Sequence, residues 1–382
     1  MKAQQIQIST LAELAPALAA LQAPDAADLA LVFGSPAWLG NPEVFRQLKT
    51  HCPRAIPVGC STAGEISADG IADDSLLLTI ARFDAIGLEV AATDLADMDD
   101  SRAAGRRLGE QFEVAPPRAL LVFSQGVAIN GSALIDGLRD ILGDQITITG
   151  GLAGDGARFQ RTLVMTPSGA SPTAIVALGL SGAALRFNHG CFGGWEPFGT
   201  LRKVTRAEGN ILYRLDDKPA LDIYRTYLGD YARDLPASAL LFPFEMRDAQ
   251  RSPTGIIRTI LGIDEADGSL LLAGDIEPQG YLQLMQASTD RLISGAETAA
   301  RLTRDMAPHP AGGLVVLVSC VGRKLVMGPR VEEEVEAVAD ILGPDAILTG
   351  FYSYGEISPL TPGTPCCLHN QTMTITWLGE AP

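Results

Sequence analysis

"ILGDQITITGGLAGDG", residues 141–156, is written a second time as "ILGPDAILTGFYSYGEI", residues 341–357. Ile141, Leu142, Gly143, Thr149 and Gly150 recur as Ile341, Leu342, Gly343, Thr349 and Gly350. In each copy a Leu-Gly pair ends a helical pattern, a short strand-like run follows, and a Gly-rich turn leads to an acid, Asp155 or Glu356. A shorter third version, "VGCSTAGE" (58–65), has the length of "ITGGLAGD" (148–155) and "TGFYSYGE" (349–356) and also ends in Gly followed by an acid, Glu65. This pattern predicts an α/β fold. It has two related mixed α/β halves with pseudo-symmetry from internal duplication, and strands followed by Gly-rich, acid-ended turns. A repeat spacing near 200 is too long for a solenoid.

Outward from the repeat, apolar runs alternate with helical patterns. "LALVF" (29–33) reads as a buried strand and "NPEVFRQLKTH" (41–51) as a helix with Asn41 as its cap and Pro42 in its first turn. "ALLVFS", "GSALIDGLRDIL" and "ITITG" form a strand–helix–strand unit, echoed by "LVVLVSC", "RVEEEVEAVADIL" and "AILTG". "SLLLAG" and "YLQLMQAS" read as a strand pair, and "LRKVTRAEGNILYRLDD" (201–217) as a hairpin before a helix over 219–231. The Leu/Ala spacing of the first 25 residues predicts an amphipathic helix.

The 382 residues are 47% hydrophobic and 19% charged, as in a globular chain with buried cores. The net charge of −16 and the lack of any basic block argue against nucleic acid and anionic membranes as partners. Pro and Gly break the long charge-free run 162–185, so no membrane span is read there. No secretory signal is read at the start, which predicts a cytoplasmic protein whose six cysteines are reduced thiols.

Gly-rich turns at strand ends let backbone approach a ligand, and α/β sheets bind at the carboxyl ends of their strands. The candidate ligand-binding residues are therefore Ser61, Thr62, Glu65, Asp155, Tyr352, Tyr354, Glu356 and Asn370. Hydroxyls, phenols, an amide and carboxylates suit a small polar or cationic molecule, with amino acids as one class. The acids have a second reading, in which they only tie down their own turns. "GCSTAG" is not a nucleophile elbow, and no dinucleotide or P-loop motif is present. Cys60 is a candidate nucleophile with no histidine near it in sequence. Of the four histidines, His51 and His309 read as exposed, whereas His189 and His369 lie in structured segments and are candidate axial haem ligands. No zinc-site spacing occurs.

Together "GCSTAGEI" (59–66), "GGLAGDG" (150–156), "GWEPFG" (194–199), the run 204–229, "GSLLLAGDIEPQG" (268–280), "GFYSYGEI" (350–357) and "LHNQT" (368–372) resemble the FIST proteins, a family of intracellular signal transduction, over nearly the whole chain. The resemblance implies an N-terminal helix (1–25), a FIST N-terminal domain (26–218), a FIST C-terminal domain (219–367) and a closing strand (368–382). It implies a bacterial sensor that binds a small ligand between its halves and signals through a separate partner. Haem-based nitric-oxide sensors that regulate a histidine kinase are the alternative within the family. A hydrolase-type enzyme using Cys60 or paired carboxylates is the alternative outside it.

Overall fold

The computed structural model describes residues 1–235, 237–306 and 312–381. Its repetition goes one copy further than the two long echoes in the sequence. Each copy has an opening strand, a helix, a strand, a second helix, a strand parallel to the previous one, a short hairpin and a closing strand. In the first copy these are Lys2–Ile8, Leu11–Ala20, Leu29–Gly34, Pro42–His51, Ile56–Ser61, the hairpin Glu65–Ser67/Gly70–Ala72, and Leu76–Arg82. The second copy runs Gly87–Asp94, Ser101–Glu110, Ala119–Ser124, Gly131–Leu142, Thr147–Leu152, Val164–Thr166/Gly169–Ser171 and Ala174–Ser181. The third opens with Leu185–Phe192 and resumes at Thr289–Asp305, Gly313–Cys320, Glu332–Leu342, Ala346–Ser353, Gly355–Pro359/Cys366–His369 and Met373–Glu380.

Each copy heads a six-stranded mixed sheet, and each sheet borrows its outer hairpin from another copy. The first copy's hairpin pairs with Ala346–Ser353 of the third, the second's with Ile56–Ser61 of the first, and the third's with Thr147–Leu152 of the second. The exchange closes a ring of three. At its centre Phe33, Phe123 and Phe351, one from each copy, meet with ring centroids 4.9 to 6.1 Å apart. Gly151 sits beside this cluster, where a Cβ would lie 2.7 Å from Val318 Cγ1, 3.0 Å from the Gly355 carbonyl and 3.3 Å from the Phe351 ring.

Residues between the third copy's opening strand and Thr289 form a separate nine-stranded sheet with its own apolar core around Leu212, Tyr224, Phe244 and Leu270. The predicted hairpin falls there as Arg202–Glu208 and Ile211–Leu215, and the helix as Ala220–Leu228. "SLLLAG" and "YLQLMQAS" are both strands but not partners: Ser269–Leu272 pairs with Ile211–Leu215 and Ile260–Asp264, and Tyr281–Gln286 with Phe244–Arg247 and Arg202–Glu208. The N-terminal segment is a correction as well. Its helix starts only at Leu11, because Lys2–Ile8 is a strand pairing antiparallel with Leu76–Arg82. The polar–apolar alternation of that strand is overshadowed by the Leu/Ala run after it. Among the described residues no helix is long and apolar enough to cross a membrane.

Candidate functional site

The parallel pairing aligns the three turns. Gly59, Gly150 and Gly350 stand opposite Val32, Val122 and Leu317. A Cβ at these glycines would lie 2.0, 1.9 and 1.9 Å from the facing carbonyl oxygens. Side chains are therefore excluded there by backbone, which no rotamer change relieves. Gly150→Ala is expected to cost about 2 kcal/mol in urea unfolding; wild-type stability would remove this account of the repeated glycine.

The turns interlock. Gly154 N–H donates to the Ser61 carbonyl, Ala63 N–H to that of Tyr352, Tyr352 N–H to that of Gly64, and Tyr354 N–H to that of Leu152. The Ser61 hydroxyl donates to the Gly154 carbonyl at 2.7 Å and accepts from Leu163 N–H. The predicted residues Ser61, Thr62, Glu65, Asp155, Tyr352, Tyr354, Glu356 and Asn370 are thus brought near one another, but all are buried, at 5% exposure or less. They line neither of the two cavities described below.

Two of the three acids are equivalent. Glu65 accepts from the Thr62 hydroxyl and from the N–H and hydroxyl of Ser75. Glu356 accepts from the Ser353 hydroxyl (2.5 Å) and from the N–H and hydroxyl of Thr372 (3.1 and 3.0 Å). Each therefore clasps the base of the hairpin its copy lends out. The residues before Ser75 and Thr372, Asp74 and Gln371, take positive φ values of 56° and 64° in both hairpins. Burial raises both carboxyls above the usual range, Glu356 to about 7.

Asp155 is a different case. Counted from the aligned glycines it falls one residue earlier, level with Gly64 and Gly355. Its carboxylate gathers the N–H groups of Phe159, Gln160 and Arg161 and accepts from the Tyr354 hydroxyl. Tyr352 donates at 2.6 Å to Glu334, which the sequence reading missed. Glu334 is paired with Arg323, and both side chains have no exposure. Asn370 is fully buried with neither amide atom partnered.

The histidines do not fit an axial-ligand role. His189 and His369 are 2% and 1% exposed, and neither lines either cavity. His369 Nε2 already lies 2.8 Å from the Ser358 carbonyl. Burial lowers both imidazoles to about 4, so they are neutral at physiological pH. His309 lies outside the described residues. Cys60 has no exposure, and burial drives its thiol well above the ordinary value. All six cysteines are free. Among the described residues no cluster of His, Cys, Asp or Glu could hold a metal ion.

Open space lies where the ring meets the inserted sheet. A cavity of about 490 Å³ is walled by Ser132 and Asp136 of the second copy, Arg258, Asp275 and Glu277 of the insert, and Cys367 of the third copy's hairpin. Arg258 dominates its chemistry. The side chain is 3% exposed and makes no ion pair among the described residues. It donates to the carbonyls of Asp275 (3.0 Å) and Leu368 (2.9 Å) and to the Ser132 hydroxyl (3.1 Å). Loss of hydration lowers its guanidinium to about 10. Burial raises the Asp136 carboxyl. The sequence did carry a signal for this residue: an arginine inside the apolar run "TGIIRTILG".

A ring of exchanged hairpins with a second sheet docked on it, and a polar cavity at their junction, make a two-module architecture. The FIST N domain matches residues 28–218 and the FIST C domain residues 220–359, and the chain belongs to the FIST family, whose domains are sensory domains of signal transduction. An uncharacterized protein of Methanocaldococcus jannaschii is 24% identical over 314 residues, 76% of this chain and 59% of that protein, so the chain spans about three-fifths of that relative. Among solved structures, a cyanuric acid hydrolase from A. caulinodans aligns over 100% of this chain and 99% of its own, at 12% identity and a TM-score of 0.36. A chorismatase aligns over 99% and 98%, at 10% and 0.31. Likeness of that order says nothing about activity.

Proposed function

We propose that the chain is a small-molecule sensor whose ligand is a zwitterion of amino-acid type, bound in the cavity around Arg258. The observation that carries the reading is the Arg258 guanidinium, stripped of water yet without a carboxylate within ion-pair distance among the described residues. Asp275, in the same wall, acts on the guanidinium only from beyond ion-pair distance, and a ligand carboxylate supplies a direct counter-charge in a low-dielectric site, where such a bond is strong. Asp136 and Glu277, in the same wall, suit an ammonium group. The walls come from the second copy, the insert and the third copy's hairpin, so occupancy favours one arrangement of the three and gives a partner protein something to read.

Binding rather than catalysis is the reading supported by the buried Cys60 and by Glu65 and Glu356, whose oxygens are committed to neighbouring hydroxyls and N–H groups. The test is calorimetric titration with a panel of amino acids and small amines. At least one should bind saturably, and Arg258→Met should weaken it about a hundredfold, the loss of a buried charge-assisted pair. Wild-type protein that binds no member, or an Arg258→Met protein that binds as well, ends the proposal.

A further inference from the structure

A second cavity, larger and of different chemistry, opens on the opposite kind of wall. Its volume is about 730 Å³, and its lining includes Phe159 from the second copy's turn, Tyr231, Leu240 and Leu261 from the insert, and Leu325 from the third copy. We infer that this is a separate binding site for an aromatic acid that also carries an N–H group, a molecule of two or three rings.

Phe159 supplies the platform. Its φ of +51° lies in the left-handed region that a bulky aromatic residue rarely adopts. The strain is held by Asp155, which accepts from Phe159 N–H at 2.8 Å and from the next two N–H groups at 2.9 Å. One face of the ring is stacked on Tyr354, with centroids 4.1 Å apart and planes 15° off parallel. An aromatic side chain is therefore held rigidly at the cavity wall, where a second flat ring gains stacking and apolar burial.

The rim points the same way. Tyr231 and Leu325 are 54% and 44% exposed, among the few large hydrophobic side chains of the described residues left in water. Two charged side chains also line the cavity, Arg158 and Asp234, both exposed at its mouth and neither in an ion pair among the described residues. An acid group on the ligand answers Arg158 and an N–H answers Asp234. The volume lies within the range of sites that enclose small organic molecules, about 300–1,000 Å³. This site is independent of the Arg258 cavity, with which it shares no lining residue.

The probe is anilinonaphthalene sulfonate, an aromatic sulfonate with an anilino N–H, titrated into the full chain with fluorescence readout. One saturable, blue-shifted site is expected. Arg158→Ala should weaken it about tenfold, the loss of one charge-assisted contact. Leu325→Asp, at a position 44% exposed, should abolish it. Circular dichroism and melting of each variant establish that the fold is kept. No saturable site in the wild type, or one that neither Arg158→Ala nor Leu325→Asp weakens, overturns the inference. Either result leaves the amino-acid reading of the Arg258 cavity standing or falling on its own titration.

Discussion

Glu334→Ala is expected to cost about 3–5 kcal/mol, the price of leaving a buried charge unpaired. Arg323 and Glu334 are both without exposure, with Nη2 2.7 Å and Nε 3.2 Å from one carboxylate oxygen. The other carboxylate oxygen accepts from Ser319 (3.0 Å) and Tyr352 (2.6 Å). Arg323 also donates to the carbonyls of Leu292 and Gly193, at the two ends of the insert. One ion pair thus ties the third copy's helices, its second parallel strand and the root of the inserted sheet. Removing the acid strands the guanidinium, whereas replacing both partners, Arg323→Met with Glu334→Leu, should recover much of the loss because no charge remains to desolvate. Urea unfolding of the two single variants and the pair measures this. A Glu334→Ala protein within about 1 kcal/mol of wild type would show that water reaches the pair.

The second large effect is one of pH. Burial raises Glu356 from 4.5 to about 7. Between those values the folded chain holds a proton that the unfolded chain has lost, so stability falls as pH rises. The contribution of Glu356 is full below its unfolded pKa and is lost as pH passes through about 7. The slope is about 1.4 kcal/mol per pH unit, or about 3 kcal/mol over the window. Glu65 shifts in the same direction. His189 and His369 act oppositely: lowered from 6.5 to about 4, they refuse protons that the unfolded chain accepts, and so cost stability as pH falls. The total curve mixes these signs, and the difference between Glu356→Gln and wild type isolates one. The stability of the variant relative to wild type should rise by about 3 kcal/mol from acid to neutral pH. A flat difference would mean that the hydroxyls of Ser353 and Thr372 hold the carboxylate ionised in the fold.

Much of the frame was legible in the chain itself. Periodicity located the parallel strands and their helices, and Asn41 does cap its helix by accepting from Glu43 N–H. The repeated glycine was visible because its cause, contact with the neighbouring strand's backbone, recurs wherever the pairing recurs. The first 25 residues were misread for a local reason: a Leu/Ala run outweighs a short alternating strand whose partner residues lie 68 to 80 positions away. The candidate site was legible only as a set of residue types. The turns were found, but the space beside them is not a property of any turn.

By itself the sequence determined a mixed α/β chain built by repetition, with three Gly-rich turns and an acid at the end of each. Tertiary structure decided what those features do. The hairpins leave their own copies and pair with another, a choice made by strand edges far apart in sequence, so the first copy became a full member of a ring. The fold of each lent hairpin brings Ser75 onto Glu65 and Thr372 onto Glu356, and one residue of offset puts Asp155 under Phe159 instead. The cavities, the lone Arg258 and the Arg323–Glu334 pair arise where the inserted sheet meets the ring. Desolvation there depends on what lies on every side of a group, and a linear pattern records only its neighbours along the chain.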